Sequence, residues 1–204
     1  MTTIEHAFLG VNIVMATGLE RRYGWQLAAF AGICAIVPDW DALTIIYSLE
    51  LFGESHRVWG HNLLFCVLFG LFIGCVDYFY DLVMRVVFFL SRLFKVSSLG
   101  INFSVRDKFS FMGLFVWVFF AIISLLSHLV ADVVSSGGVG LPDWELKLLI
   151  PFSDRGFVYP LHQWGDVGVT LIFVAGMFAM LKWKSKTNIV AILTLIAVIA
   201  YIIL

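Results

Sequence analysis

The stretch FSFMGLFVWVFFAIISLLSHLVAD, residues 109–132, decides the fold class. It carries no charge before Asp132, and from 109 to 131 it is long enough as a helix to cross the ~30 Å hydrocarbon core of a bilayer, which needs about 20 apolar residues. It also ends on a histidine and an aspartate. Ionisable groups at the end of a lipid-facing helix are costly to place there, which makes His128 and Asp132 candidates for function from the outset.

Outward from this segment the same pattern recurs. Residues 58–76 form a second confident span, and four shorter apolar segments cover 6–19, 25–37, 167–181 and 188–204. The chain is 61% hydrophobic and only 13% charged, whereas a soluble domain carries about a quarter of its residues as charges. The expectation is a single all-α, polytopic helical membrane domain over residues 1–204, with about four to six transmembrane or membrane-embedded helices. Segments 6–19 and 25–37 are short, so they either cross a thinned or tilted region or enter the bilayer as a helical hairpin. Segments 167–181 and 188–204, split by Lys182, Lys184 and Lys186, read as another hairpin.

Residues 77–95, DYFYDLVMRVVFFLSRLFK, place Tyr78, Asp81, Arg85, Arg92 and Lys95 along one helical face and Val83, Val86, Val87, Leu90 and Phe94 along the other. This predicts a helix lying in the inner interface, with simple continuation of the preceding span as the alternative. Residues 133–166 are too rich in Gly, Trp and Pro for a helix. The N-terminus has no positive region ahead of its apolar stretch and does not read as a cleaved signal. Cys34, Cys66 and Cys75 lie inside apolar runs without ligand spacing and read as packing residues. A net charge of -1 with scattered basic residues argues against nucleic acid as a partner.

If all six segments cross, ten of the thirteen basic residues fall on one side: Arg21, Arg22, Arg85, Arg92, Lys95, Arg106, Lys108, Lys182, Lys184 and Lys186. That side is the cytoplasmic one by the positive-inside rule. The opposite, extracytoplasmic side then holds His6, Asp39, Asp41, His56, His61, His128, Asp132, His162 and Asp166, a set that includes all five histidines. His128 and Asp132 are four residues apart and project from one helical face. His162 and Asp166 repeat that spacing, and Asp39 and Asp41 follow Pro38, which favours a turn or helix start. Imidazole nitrogen mixed with carboxylate oxygen suits a divalent metal, zinc first and manganese or iron as alternatives. No GxSxG, HExxH, Cys/His pair or phosphate loop competes with this reading. His6 and His162 read equally as ligands or as helix-end anchors, and Asp39 as a helix cap. Arg57 suits a clamp on an anionic substrate. Trp40, Trp59, Trp144 and Trp164 read as an interfacial aromatic belt.

Taken together, an early His, PDWD at 38–41, HRVWGH at 56–61 and SHLVAD at 127–132, followed by SSGGVGLPDWELKLLIPFSDRG, resemble the YdjM-like family, described as LexA-regulated inner-membrane proteins with a metal-dependent hydrolase role. The family strings look like PDxD, HRxxTHS and SHxxxD; Gly60 and Asn62 stand here where the second string has Thr and Ser. The resemblance covers most of residues 1–155 and implies a metal site of Asp39, Asp41, His56, His61, His128 and Asp132, joined by His6, while the spacing of His162 and Asp166 offers them as additional ligands or supports. Asp39, His56 and Arg57 are the expected catalytic groups, with Arg57 stabilising developing charge and a carboxylate as general base. The family is distantly similar to zinc-dependent phospholipase C and single-strand nucleases, which implies phosphoester hydrolysis with a lipid head group as substrate. A metal-binding or metal-transporting membrane protein without catalytic activity is the other class, although transport calls for ionisable groups at mid-membrane depth.

Overall fold

The computed structural model describes residues 1–94, 109–138 and 142–204, and within them the chain is all-helical, with two isolated β-bridges and no strand. Lys95, Arg106 and Lys108, and Val139 and Gly140 of the Gly-rich loop, lie outside the described residues. The helices are α1 (Thr3–Thr17), α2 (Glu20–Tyr23), α3 (Trp25–Ile36), a 3-10 helix η1 (Val37–Ile46), α4 (Leu49–Ser55), α5 (Leu63–Tyr80), α6 (Leu82–Leu93), α7 (Phe111–Val134), α8 (Val167–Lys182) and α9 (Thr187–Ile203). Among the described residues, four helical stretches are long and apolar enough to cross a membrane: Trp25–Ile46, Leu63–Tyr80, Phe111–Val134 and Lys184–Ile203. Val167–Lys182 is apolar but shorter. The second segment is thus longer than its sequence suggested, because α3 tightens into η1 at Val37 and Pro38 instead of stopping.

Local chemistry fixes where the helices begin. Thr2 and Glu5 close a reciprocal capping box at α1, while Asn62, Ser110 and Asp166 each accept a backbone N–H at the first turn of α5, α7 and α8. Asn62 therefore does the work a Ser would do at the same place.

The long helix α7 is the axis of the bundle and packs on α5, α3 and α1, while α1 also packs on α3 and α9. Between helices in lipid the hydrophobic effect gives little, so close van der Waals contact through small residues has to hold them. Gly74 of α5 shows this: a Cβ there would sit 2.7 Å from Val118 Cα of α7. Trp117, Phe120 and Ala121 of α7 join Leu27, Phe30 and Ala31 of α3 in the largest buried cluster. A second cluster seats Ala131 against Val169, Phe173 and Val198 of α8 and α9.

Residues 77–94 are not one helix: Asp77 to Tyr80 finish α5, and a separate helix starts at Leu82. Asp81 adopts a left-handed conformation (φ 48°), which ends α5 and redirects the chain, and Asp77 Oδ1 accepts from Val83 N at the start of α6. Tyr78 belongs to the span and is buried, its hydroxyl bonded to the Ser110 backbone. In α6, Val83 and Met84 are buried against the bundle while Val86, Leu90 and Phe94 are exposed.

Two basic loops share one end of the bundle, since Arg21 donates to Ser185 O and Asn188 Oδ1, both at 3.0 Å. At the other end the connection from Ser135 folds back without helix through bridges Ser135–His162 and Leu146–Phe157, and Leu63 N donates to Leu148 O.

Gly74→Leu should separate α5 from α7. Overpacking of this kind costs about 1–3 kcal/mol, so the melting temperature in detergent is expected to fall; an unchanged melting temperature would contradict the close packing.

Candidate metal centre

Three turns of chain bring the acidic and imidazole groups together. The His61 Nε2 and His128 Nε2 atoms lie 3.0 Å apart. Around them Asp39 Oδ1 is 3.6 Å from His61 Nε2 and 3.5 Å from His128 Nε2, and Asp132 Oδ2 is 3.5 Å from each. These separations are those expected between neighbouring ligand atoms of a tetrahedral ion bonded at about 2.0–2.2 Å, whose edges run about 3.3–3.6 Å. His61 and His128 are fully buried and Asp132 nearly so.

What lies behind each ring fixes which nitrogen faces inward. His128 Nδ1 donates to the Ala35 carbonyl at 2.7 Å, and His61 Nδ1 donates to Asp41 Oδ2 at 3.0 Å. Both outer nitrogens are spent as donors, so both Nε2 atoms turn toward the same point. Two lone pairs at 3.0 Å repel unless a cation, either a proton or a metal ion, stands between them. The donor set and its outer hydrogen bonds fit a divalent metal.

Around this centre the groups form two triads, each with ligand atoms within 4.8 Å of one another: His6, His128 and Asp132, and Asp39, His56 and His61. His6 Nε2 is 3.0 Å from Asp132 Oδ1, and its ring stacks on His128 with centroids 3.6 Å apart. Asp132 Oδ1 also accepts from the Met1 amino group at 2.9 Å. Asp41, expected among the ligands, stands behind the imidazoles instead. Its Oδ1 takes His56 Nδ1 at 2.7 Å, and its Oδ2 takes His61 Nδ1 and the Gly60 N–H at 2.9 Å. Gly60 is the residue that lets this loop close, because a Cβ there would lie 2.0 Å from the Pro38 carbonyl oxygen.

His56 and Arg57 stand between the centre and a cavity of about 450 Å³ that they line with Phe52, Gly53, Trp144 and Trp164. Arg57 is buried and adopts a left-handed backbone (φ 62°), a costly conformation for a side chain of its size. It donates from Nη1 to Trp144 O at 2.7 Å and from Nη2 to Ser135 O at 3.3 Å, and Nη2 is 3.8 Å from Asp132 Oδ2. Its Nε has no partner among the described residues.

His162 and Asp166 are not brought into the group. Asp166 caps α8 through Gly168 N and accepts from Tyr201 Oη at 3.0 Å, and His162 lies 3.6 Å from Asp166 and edge-on to Tyr201. The i, i+4 spacing is real there, but Gly165, with φ 77°, ends any helical register between them. The Asp166 carboxyl is held below the usual carboxylate range by the Gly168 N–H. Sequence reading missed Thr3, whose hydroxyl donates to Asp39 Oδ2 at 2.7 Å, and Glu5, which is buried and accepts from Thr170 Oγ1. The Thr2-x-x-Glu5 capping pattern was the available signal for Glu5; nothing local marks Thr3. The tryptophans reach beyond a belt, since Trp144 packs edge-on to His56 and under the Arg57 guanidinium.

His61, two residues ahead of α5, is the proton holder of the metal-free centre. Burial opposes its charge, but hydrogen bonds to Asp132, Asp39 and Asp41 outweigh this and hold the imidazolium up to about 10. In that state Nε2–H of His61 faces the carboxylates of Asp39 and Asp132.

The family model described as YdjM inner membrane protein matches residues 1–204, the whole chain, and the protein belongs to that family. No curated protein and no solved structure matches the chain.

Two outcomes follow from the outer hydrogen bonds. With its pKa raised from 6.5 to about 10, charged His61 stabilises the metal-free fold fully below pH 6.5, and that contribution is lost as pH rises through 10. A zinc ion bound there would have to displace the same proton, so its affinity should rise with pH over this window and binding should release a proton, measured by titration calorimetry in buffers of different ionisation enthalpy. Asp41→Asn should weaken metal binding about 10–100-fold, as loss of an orienting partner does elsewhere; an unchanged affinity would remove Asp41 from that role.

Proposed function

We propose that this YdjM-family inner-membrane protein is a metal-dependent hydrolase of phosphoesters, acting on lipid head groups at the extracytoplasmic face. The observation that carries the reading is the inward turn of two imidazole nitrogens to 3.0 Å, each with its other nitrogen committed as a donor, between two carboxylates. Asp39, His61, His128 and Asp132 would hold the ion, zinc by its donor set, with His6 beside Asp132 and His56 beside Asp39 as further donors. Bound there, a divalent cation supplies Lewis acidity and brings the pKa of water down to about 7, so that no protein nucleophile is required.

The remaining steps belong to side chains. Arg57, buried at the cavity floor, binds the non-bridging oxygens of the phosphoester and stabilises their growing charge. His56, tethered through Nδ1 to Asp41, presents Nε2 as the atom that takes a proton from the attacking water or returns one to the leaving alkoxide. Asp39, only partly buried and steadied by Thr3, is the second proton acceptor.

The extracytoplasmic placement is supported by the positive-inside rule. The loops holding Arg21 and Lys184–Lys186 meet at one end, and the His/Asp group gathers at the starts of α1, η1 and α5 and the end of α7. A transporter would want such groups along its interior, whereas here they collect at one end.

The purified protein is expected to carry stoichiometric transition metal by elemental analysis and to release head-group phosphoester or diacylglycerol from phospholipid vesicles. His128→Ala should lose the metal and at least about 100-fold in rate, the scale on which a key electrostatic group acts. Full turnover after exhaustive chelation, or metal bound without any product from a head-group panel, would reject the hydrolase reading.

A further inference from the structure

On the hydrolase reading just given, the cavity beside the centre has a wall that the chemistry at its floor does not require. Leu49, Phe52, Gly53 and His56 follow one another at helical spacing along α4 and its cap, so one face of this short helix leads from a side chain 75% exposed to the imidazole at the cavity floor. Around the start of that track Ile45, Ile46 and Tyr47 are all more than half exposed. In a membrane protein such a cluster at the end of the bundle lies among lipid, and the track is continuous with it. Trp144 and Trp164 close the far wall of the cavity.

At the inner end the charge is complementary to a phospholipid. The buried Arg57 guanidinium keeps one N–H without a partner among the described residues, and Asp143 lines the same cavity. A phosphate on Arg57 and an ammonium near Asp143 satisfy both, while the acyl-glycerol portion covers Phe52 and the indoles.

We propose that the α4 cavity is a lateral phospholipid subsite, which draws its ligand straight from the bilayer along the Leu49–Phe52 track, and that Gly53 sets its capacity. Gly53 is the position where the cavity was left open: a Cβ there meets nothing within 4 Å. Gly53 lines the cavity, so a large side chain there takes up room beside Phe52 and His56 with no clash at its Cβ.

The test uses the full chain in detergent with zinc and a phosphatidylethanolamine carrying a diazirine in its acyl chain, with labelled peptides identified by mass spectrometry. Labelling is expected on the peptides holding Phe52, Trp144 or Trp164, and in Gly53→Trp it should fall about tenfold, the loss equivalent to about 1.4 kcal/mol of binding. Labelling of the exposed α5 residues Leu68 and Phe72 should be unchanged and serves as the control. Should Gly53→Trp fold poorly, Gly53→Leu gives the same comparison with a smaller side chain. Equal labelling of the Phe52 and Trp144 peptides in the native and Gly53→Trp proteins, or labelling confined to α5, would overturn the subsite. Zinc content, measured in parallel, decides the metal reading separately: absence of metal with cavity labelling intact would leave the lipid subsite standing without its hydrolase.

Discussion

Everything at the polar end of this bundle answers to one contact: two imidazole nitrogens held 3.0 Å apart with their lone pairs converging. Neither ring can turn away. The Ala35 carbonyl takes the rear proton of His128, and Asp41 takes that of His61. The repulsion this creates is relieved by positive charge, and two carboxylates, Asp39 and Asp132, stand within 3.6 Å to favour it. A proton on His61 serves when nothing else is there, and a divalent ion fits the same four atoms. Asp39, His61 and His128 come from three different parts of the chain, so a cation held there would tie distant segments together.

The membrane sets the terms on which such a centre is built. Helices in lipid attract one another through close contact more than through burial of apolar surface, and α5 gains that contact on α7 at Gly74. Close approach fixes the height of His61 relative to His128, since α5 begins just after the first and α7 ends just after the second. At the end of the bundle the same device recurs at Gly60, where the absence of a Cβ lets its N–H reach Asp41 past the Pro38 carbonyl. The packing of α5 on α7 and the seating of the His61 loop on η1 thus both depend on a missing Cβ.

The spans and the gathering of His and Asp residues were legible because both rest on properties of single segments: apolar length, and charge at segment ends. The i, i+4 pair His128/Asp132 was readable for the same reason. What the pattern could not give was division of labour within the group. Asp41 is two residues from Asp39 and looks equivalent in the sequence, yet the 3-10 geometry of η1 sends one carboxylate toward the imidazole Nε2 atoms and the other behind them. His162/Asp166 showed the ligand spacing too, but spacing has meaning only inside a helix, and Gly165 breaks it. Tyr78 and Asp81 fell on the charged face of a supposed continuous helix, and the left-handed turn at Asp81 that separates them from α6 has no side-chain signature of its own.

The backbone at Arg57 shows how the two halves of the site are joined. A left-handed arginine is costly, and such cost persists only where surrounding contacts over-determine it. Here they do. His56 is fixed through Asp41, His61 follows four residues after Arg57, and the Arg57 carbonyl accepts from Lys147 N, so the chain has to reverse direction in between. The reversal places consecutive side chains in different service: His56 over the cavity and against Asp41, Arg57 buried between Asp132 and the Trp144 carbonyl. An extended or helical Arg57 would put its guanidinium elsewhere and leave Asp132 facing His6, His61 and His128 without it. The strain is thus the local cost of bringing a cation from one loop, a carboxylate from α7 and the aromatic wall of the 142–164 connection to a single floor.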